Sequence, residues 1–371
     1  MNPNSRSDWA KALKNGAPLT QVLATPAATK PAPASNPATV STPVAKPKAK
    51  VISKATKLAA TKPADKPAGD TSLYSSLPGL HVGRGYRFGN LDWFPVWTDA
   101  QLKTRAYTTQ FSASAVKVSE KANAEVAGLE IRNSGSTGIL LLEGTLLEGG
   151  WQHRALTRSV FVDANQALDL PVVCVEQGRW AGTHAQAMGQ KLAPARVRAA
   201  MRGMHKFSDG VQQASADQGK VWEEIHKYQA DFGAMNPTGS YVAMRDDIDR
   251  KLPVLDAPVA LPGQRGVIVA INGQPVALEL FDHPDTLSER LEAILRGYLP
   301  DSVRTAYVVT PSRRARRFAD RVVAIGVTEA EGSNHKRNKP DLVVAAEALF
   351  VRDELMHLAA LNARHSLVLA A

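Results

Sequence analysis

Residues 142–180 read LEGTLLEGGWQHRALTRSVFVDANQALDLPVVCVEQGRW, the most informative stretch of the chain. Its runs of Leu, Val and Phe are strand-like, and two strands are expected in it, Gln152 to Val162 and Leu168 to Glu176. Into those runs falls an unusual load of polar and aromatic groups. They are Glu143, Glu148, Gln152, His153, Arg154, Cys174, Glu176, Gln177, Arg179 and Trp180. Charged groups on sheet strands are expensive unless solvated, paired or used. Function is therefore expected here.

Working outward, Asn90 to Trp97 reads as a first strand with Pro95 at its edge. Val126 to Arg132 and Thr137 to Leu142 are joined by Asn133-Ser134-Gly135-Ser136, a hairpin signal. GVIVAINGQPVALELF is strand, Asn272-Gly273 turn, strand, the strongest short-range hairpin pattern. VVAAEALFV and LMHLAAL, flanking Arg352-Asp353-Glu354, pair likewise or else form a helix. Val221, Ile225, Tyr228 and Phe232 mark a helical stripe over Gly219 to Phe232. Leu287, Leu291, Ile294 and Tyr298 mark another over Asp285 to Tyr298, with Asp282 and Pro284 as start signals. Shorter helices are expected over Pro194 to Met204, Gly239 to Lys251 and Ser312 to Val322. Hairpins with helices inserted between them predict one α+β domain over residues 80–365, a mostly antiparallel, sandwich-like sheet body.

Ahead of it the chain differs in kind. Residues 17–79 are expected to be a disordered linker. The segment from about Ala17 to Gly69 is built mostly from Ala, Pro, Lys, Thr and Val, without an aromatic residue, and cannot bury enough surface to offset chain entropy. Residues 1–75 carry 11 of the 45 Lys and Arg but 3 of the 35 acids, so +8 of the net +10 lies there. The body is nearly neutral, and weak, sequence-blind contact with nucleic acid is expected of the tail, if not a plain spacer role. Within residues 1–16, Ser7 suits an N-cap, and Trp9 and Leu13 share a helical face, a pattern for docking to a protein partner.

Several classes fall away. Cys174 is the only cysteine, which excludes an intramolecular disulfide and a zinc site of several thiolates. The nine His show no clustered ligand spacing, so no metal site is assigned. No run of about 18 apolar residues points to a membrane span, and no apolar leader is present, so the cytoplasm is expected. Neither GGWQH nor GRWAG fits a nucleotide-phosphate fingerprint, and the residues name no cofactor.

Pairing the two central strands would bring Arg154 near Glu176, with Gln152, Arg154 and Arg158 on one face and Val172, Cys174 and Glu176 on another. Gly178 would fold Arg179 and Trp180 over the end. Arg to grip phosphate, Trp to stack on a base and Glu to accept from ribose hydroxyls suit a nucleotide. The bland counterpart is a buried ion pair that fixes strand register. Cys174 amid Val residues reads first as a small hydrophobe. As a nucleophile it needs a nearby base, for which His153 and His184 are the candidates.

LLLEGTLLEGGWQHR, PVVCVEQGRW, DQGKVWEEI, GVIVAINGQPVALELFD and LMHLAAL together resemble the ARG-and-Rhodanese-Phosphatase-superfamily-associated protein domain, a bacterial domain of unknown function. The resemblance covers roughly residues 88–361, and the family usually has Asn where His153 stands. It implies a place in NAD or ADP-ribose metabolism. Glu143, Gln152, Arg154, Cys174, Glu176, Gln177, Arg179, Trp180 and Trp222 match the family motifs. The expectation is a domain that binds, and in one version processes, an ADP-ribose-like nucleotide through Glu143, Gln152, Arg154, Glu176, Gln177, Arg179, Trp180 and Trp222. Glu176 and Cys174 are the catalytic candidates. The alternative is a non-catalytic protein-interaction module with a basic tail.

Overall fold

Two residues in the left-handed region, Asn272 (φ 51°) and Gly273 (φ 74°), turn the chain back on itself where the Asn-Gly signal predicts it. The computed structural model describes residues 74–75, 77–110, 112–203, 214–329, 334–338 and 341–369. The expected docking helix and nearly all of the expected linker lie outside them. The body begins earlier than residue 80, however. Tyr74 and Ser75 pair with Thr328 and Val327, and Leu77 is buried.

In chain order the first strands are β1 (Tyr74–Ser75), β2 (Leu80–Val82), β3 (Tyr86–Phe88), β4 (Leu91–Thr98), β5 (Tyr107–Thr108), β6 (Val116–Ser119) and β7 (Gly128–Asn133). Then come β8 (Gly138–Leu141), β9 (Thr145–Gly149), β10 (Arg154–Leu156), β11 (Val160–Val162), β12 (Ala167–Cys174) and β13 (Ala185–Leu192). Three helices follow, α1 (Ala195–Gly203), α2 (Ala214–Phe232) and α3 (Tyr241–Lys251). The chain ends with β14 (Gly266–Ile271), β15 (Gln274–Phe281), α4 (Pro284–Ser302), α5 (Ser312–Ile325), β16 (Val327–Glu329), β17 (His335–Arg337), β18 (Val344–Val351), β19 (Glu354–Asn362) and α6 (Ser366–Leu369).

The class is α+β, and among the described residues all strand pairing is antiparallel except β5 with β8. One sheet runs β1-β16-β17-β18-β19-β15-β14-β4-β2, with β3 also on β4. Its inner strand β14 is buried on both faces. Val267, Val269 and Ile271 pack with Leu287, Leu291 and Ile294 of α4, while Ile268 and Ala270 join Phe318 and Val322 of α5. Pro95 lies in an inner strand, not at an edge. The chain opposite breaks between β2 and β3 beside it, where the Gly83 amide donates to the Pro95 carbonyl at 2.9 Å. The ambiguous C-terminal segment is a hairpin, because Arg352 and Asp353 both adopt positive φ (52° and 63°) and the strands pair in register.

The remaining strands close into a barrel, β10-β12-β7-β6-β13-β9. Its interior holds Val118, Leu129, Ile131, Leu147, Leu156 and Val172. Helices α1 to α3 cover its outside, packing Val197, Ile225, Tyr228 and Met244 on Ala155, Val173 and Val175. The expected single strand Gln152 to Val162 is two. β10 belongs to the barrel and β11 to a separate small sheet, since Thr157 turns the corner by donating to the Pro171 carbonyl. Gln152, Arg154 and Arg158 therefore do not share a strand face. Among the described residues no helix is long and apolar enough to cross a membrane.

A buried charge network ties barrel to sheet. Arg198 of α1 donates to Glu279 of β15 at 2.6 Å, Glu279 lies 2.9 Å from His357 Nε2, and Ser159 Oγ lies 2.8 Å from His357 Nδ1. Arg202 meets Glu143 at 2.8 Å and the Ala345 and Ala359 carbonyls at 2.7 and 3.0 Å. Burial alone would raise the Glu279 carboxyl, but the Arg198 charge and the bonds from His357 and Arg198 hold it down at about 2. A carboxyl depressed below its usual 4.5 stabilises the fold at neutral pH, and that stabilisation disappears as pH falls from 4.5 toward 2. Glu279→Gln should cost about 3–5 kcal/mol at pH 7 and flatten this acid limb. Thermal melts of both proteins across pH 2 to 7 measure it, and coincident curves would dismiss the network as a tie.

Candidate functional site

Five strand ends meet at one mouth of the barrel. The register sets Arg154, the first residue of β10, opposite Cys174, the last of β12. Gln186 of β13 lies opposite Gly149 of β9, and Ala185 lies opposite Ser119 of β6. Glu120, Gln152, Arg154, Cys174, Glu176 and Gln186 are all buried there.

Gln152 organises the centre. Its Oε1 accepts from Arg154 Nη1 at 3.0 Å and from the Cys174 thiol at 2.9 Å, while its Nε2 donates to the Glu176 carbonyl at 3.0 Å. Gln186 Nε2 donates to the Gln152 carbonyl at 3.0 Å and to Glu120 Oε1 at 3.3 Å. Glu120 Oε1 also accepts the Trp151 amide at 2.9 Å. Gly150 holds φ 55° beside this cluster, and a Cβ there would sit 1.9 Å from Gln186 Nε2 and 2.7 Å from Glu120 Oε1. Only glycine fits both demands.

Several buried atoms remain without a partner among the described residues: Nε and Nη2 of Arg154, Oε2 of Glu120 and Oε1 of Gln186. Arg154 is 0% exposed, and burial lowers its guanidinium from the usual arginine value. Among the described residues no carboxylate bonds it. Its Cζ stands 5.4 Å from the Trp180 ring, which meets Trp151 edge-on at 5.5 Å.

Glu176 does not pair with Arg154, because β12 ends at Cys174 and the chain turns away. Its Oε2 accepts from Arg179 at 2.7 and 3.0 Å and from the His153 amide at 2.9 Å, and its Oε1 accepts from Thr238 at 2.6 Å. Burial would raise its carboxyl, but Arg179, Thr238 and the His153 amide hold it low. Arg179 reaches on to the Gly149, Gly150 and Ala181 carbonyls at 3.1, 2.7 and 2.8 Å. Glu176 and Arg179 thus form a latch that fastens the loop between β12 and β13 across the mouth.

The structure brings Gln152, Arg154, Cys174, Glu176, Arg179 and Trp180 together. Glu143 lies instead in the Arg198–Arg202 network, Gln177 is exposed, and Trp222 packs on the helical layer. Glu120, Trp151, Gln186, Thr238 and Gln218 were missed. Gln218 clamps the Cys174 backbone, accepting its amide at 3.0 Å and donating to its carbonyl at 2.9 Å. Gln218 sits in the DQGKVW motif, a signal that was present, whereas Glu120 lies in a polar stretch that gives none. Volume and chemistry part company here. A cleft of about 580 Å³ on the barrel flank is lined by Arg158, Phe161, Asp169 and His335 among others, and by none of the mouth residues. The mouth is the stronger site, because buried unpartnered polar groups demand a partner and open volume does not. Among the described residues no three His, Cys, Asp or Glu side chains converge as a metal site.

Residues 79–361 match the ARG and Rhodanese-Phosphatase-superfamily-associated Protein domain. The chain belongs to this family. No curated protein and no solved structure matches it.

Within the domain, Cys174 sits where a nucleophile would need activation, yet burial pushes its thiol up to about 11. His153, itself lowered by burial, turns its Nδ1 to Ser240 Oγ at 2.6 Å. A thiol in that state is a poor nucleophile at neutral pH. As the only cysteine it gives a clean readout. The folded protein at pH 7.5 should react with a disulfide reagent at least about 100-fold more slowly than the denatured chain, as the low thiolate fraction and full burial require. Comparable rates would mean an accessible, activated Cys174.

Proposed function

We propose that the barrel mouth binds a nucleotide of the ADP-ribose type. The observation that carries this reading is Arg154, a fully buried guanidinium with two nitrogens, Nε and Nη2, unpartnered and no carboxylate bonded to it among the described residues. A diphosphate supplies both charge and acceptors in the planar, forked geometry that guanidinium prefers. Trp180, 44% exposed, and Trp151 beside it offer a stacking face for the base. The free oxygen of Glu120 suits a ribose hydroxyl. Ligand entry requires the Arg179 loop to lift, so the latch regulates access rather than touching the ligand. The family's implied link to NAD or ADP-ribose metabolism and the cytoplasmic location expected from the sequence fit the same ligand. Catalysis forms no part of this reading, because the Cys174 thiol is protonated and Glu176 is consumed by the latch. Glu143 and Trp222 lie outside the mouth cluster.

Thermal shift against ADP-ribose, NAD and mononucleotides tests it. At 100 times its dissociation constant a ligand should stabilise by about 2.7 kcal/mol. Trp180→Ala should keep the fold and lose about 1–3 kcal/mol of binding, the worth of one stacked base. No shift with any nucleotide would refute the reading and favour the protein-interaction module instead.

A further inference from the structure

We propose a second, separate oxyanion site, in the cleft between β13, α3 and α4, with the Arg290 guanidinium as anchor and a phosphate group as the chemistry it takes. The cleft encloses about 490 Å³. It shares no residue with the barrel mouth, and the inference is independent of the nucleotide reading.

Arg290 of α4 lines this cleft and is 4% exposed. Its Nη2 donates to the Gln190 carbonyl at 3.0 Å and its Nη1 to Gln190 Oε1, both neutral acceptors, while Nε has no partner among the described residues. Burial pushes this guanidinium down to about 10, with Glu289 only partly opposing the fall. A buried cation so placed calls for an anion.

The acids of the cleft wall do not supply one. Glu289 is held by Arg105 through two bonds of 2.6 Å. Asp249 is held by Arg245 at 2.7 Å and Lys191 at 3.1 Å, and Glu292 by Arg296 at 2.7 Å. With these carboxylates neutralised, Arg290 is left as the cation among the described lining residues that no acid answers. Lys191, Arg245 and Arg296 on the same wall are answered by Asp246, Asp249 and Glu292, so the charge left to draw an anion into the cleft is that of Arg290. The size of the cleft admits a small phosphorylated molecule as well as the free ion.

Calorimetry and thermal melts of the full chain with inorganic phosphate, against sodium chloride at matched ionic strength, test the proposal. Phosphate should bind saturably and raise Tm, and chloride should not. Arg290→Met should weaken phosphate about tenfold or more, the worth of a charge-assisted bond. Arg352→Ala, which removes an exposed arginine of the β18–β19 turn that belongs to neither site, should leave phosphate affinity as in wild type. A ribose 5-phosphate arm separates the sources. Tighter binding than inorganic phosphate identifies a phosphorylated small molecule as the occupant, and equal binding identifies the free ion. Absence of saturable phosphate binding, or equal affinity in Arg290→Met, would overturn the site and leave Arg290 as a structural cap on Gln190. Should Arg290→Met not fold, Arg296→Ala serves, because it frees Glu292 to repel the anion. It should weaken phosphate severalfold, and an unchanged affinity would again overturn the proposal.

Discussion

A guanidinium taken out of water must be met by a carboxylate, by carbonyl oxygens or by a ligand, and the architecture of this domain follows from how each buried arginine is met. Arg196 is met by Asp301 and Asp231, both at 2.9 Å, and stacks 4.1 Å from the Tyr228 ring, which fixes α1 against α2 and α4. Arg198 and Arg202 are met by Glu279 and Glu143 and join barrel to sheet. Arg265 is met by the Phe281 and Ala100 carbonyls at 3.2 and 2.7 Å. Arg154 and Arg290 have neither an acid nor, among the described residues, a partner for every buried nitrogen, one in the barrel mouth and one in the cleft beside α4.

That contrast separates scaffold from site. In the Glu176–Arg179 pair the carboxylate is buried and the guanidinium partly exposed, and both carboxylate oxygens are used internally, so its work is to hold a loop. Arg154 lies one strand pairing away and keeps two nitrogens, Nε and Nη2, unpartnered among the described residues. The same chain segment therefore supplies both the loop that Arg179 fastens at the mouth and the charge beneath it.

Much of the fold was legible because its signals are local. The Asn272-Gly273 turn, the stripes of α2 and α4 and the apolar run of β14 each declare themselves within a few residues. The barrel was not legible. β13, AQAMGQKL, has neither the branched residues nor the alternation of a strand and is largely exposed, and β6 is four residues long. Without those two strands the six-membered closure cannot be inferred, and Glu120 and Gln186, which they carry to the mouth, stay hidden. The density of polar groups in residues 142–180 did point to the buried polar cluster at the barrel mouth. What it could not resolve was partner choice. Arg154 and Glu176 are near in sequence pairing, but the end of β12 at Cys174 sends the carboxylate to Arg179, and Glu143 departs to α1.

The central claim is that the Arg154 charge is held buried for a nucleotide phosphate. A crystal structure of the domain grown with ADP-ribose tests it most directly. The account predicts a phosphate oxygen within hydrogen-bond reach of Arg154 Nε or Nη2, the base against Trp180 or Trp151, and the Arg179 loop displaced from the Gly149 and Gly150 carbonyls. ADP-ribose bound elsewhere, with the latch closed and Arg154 untouched, would contradict it.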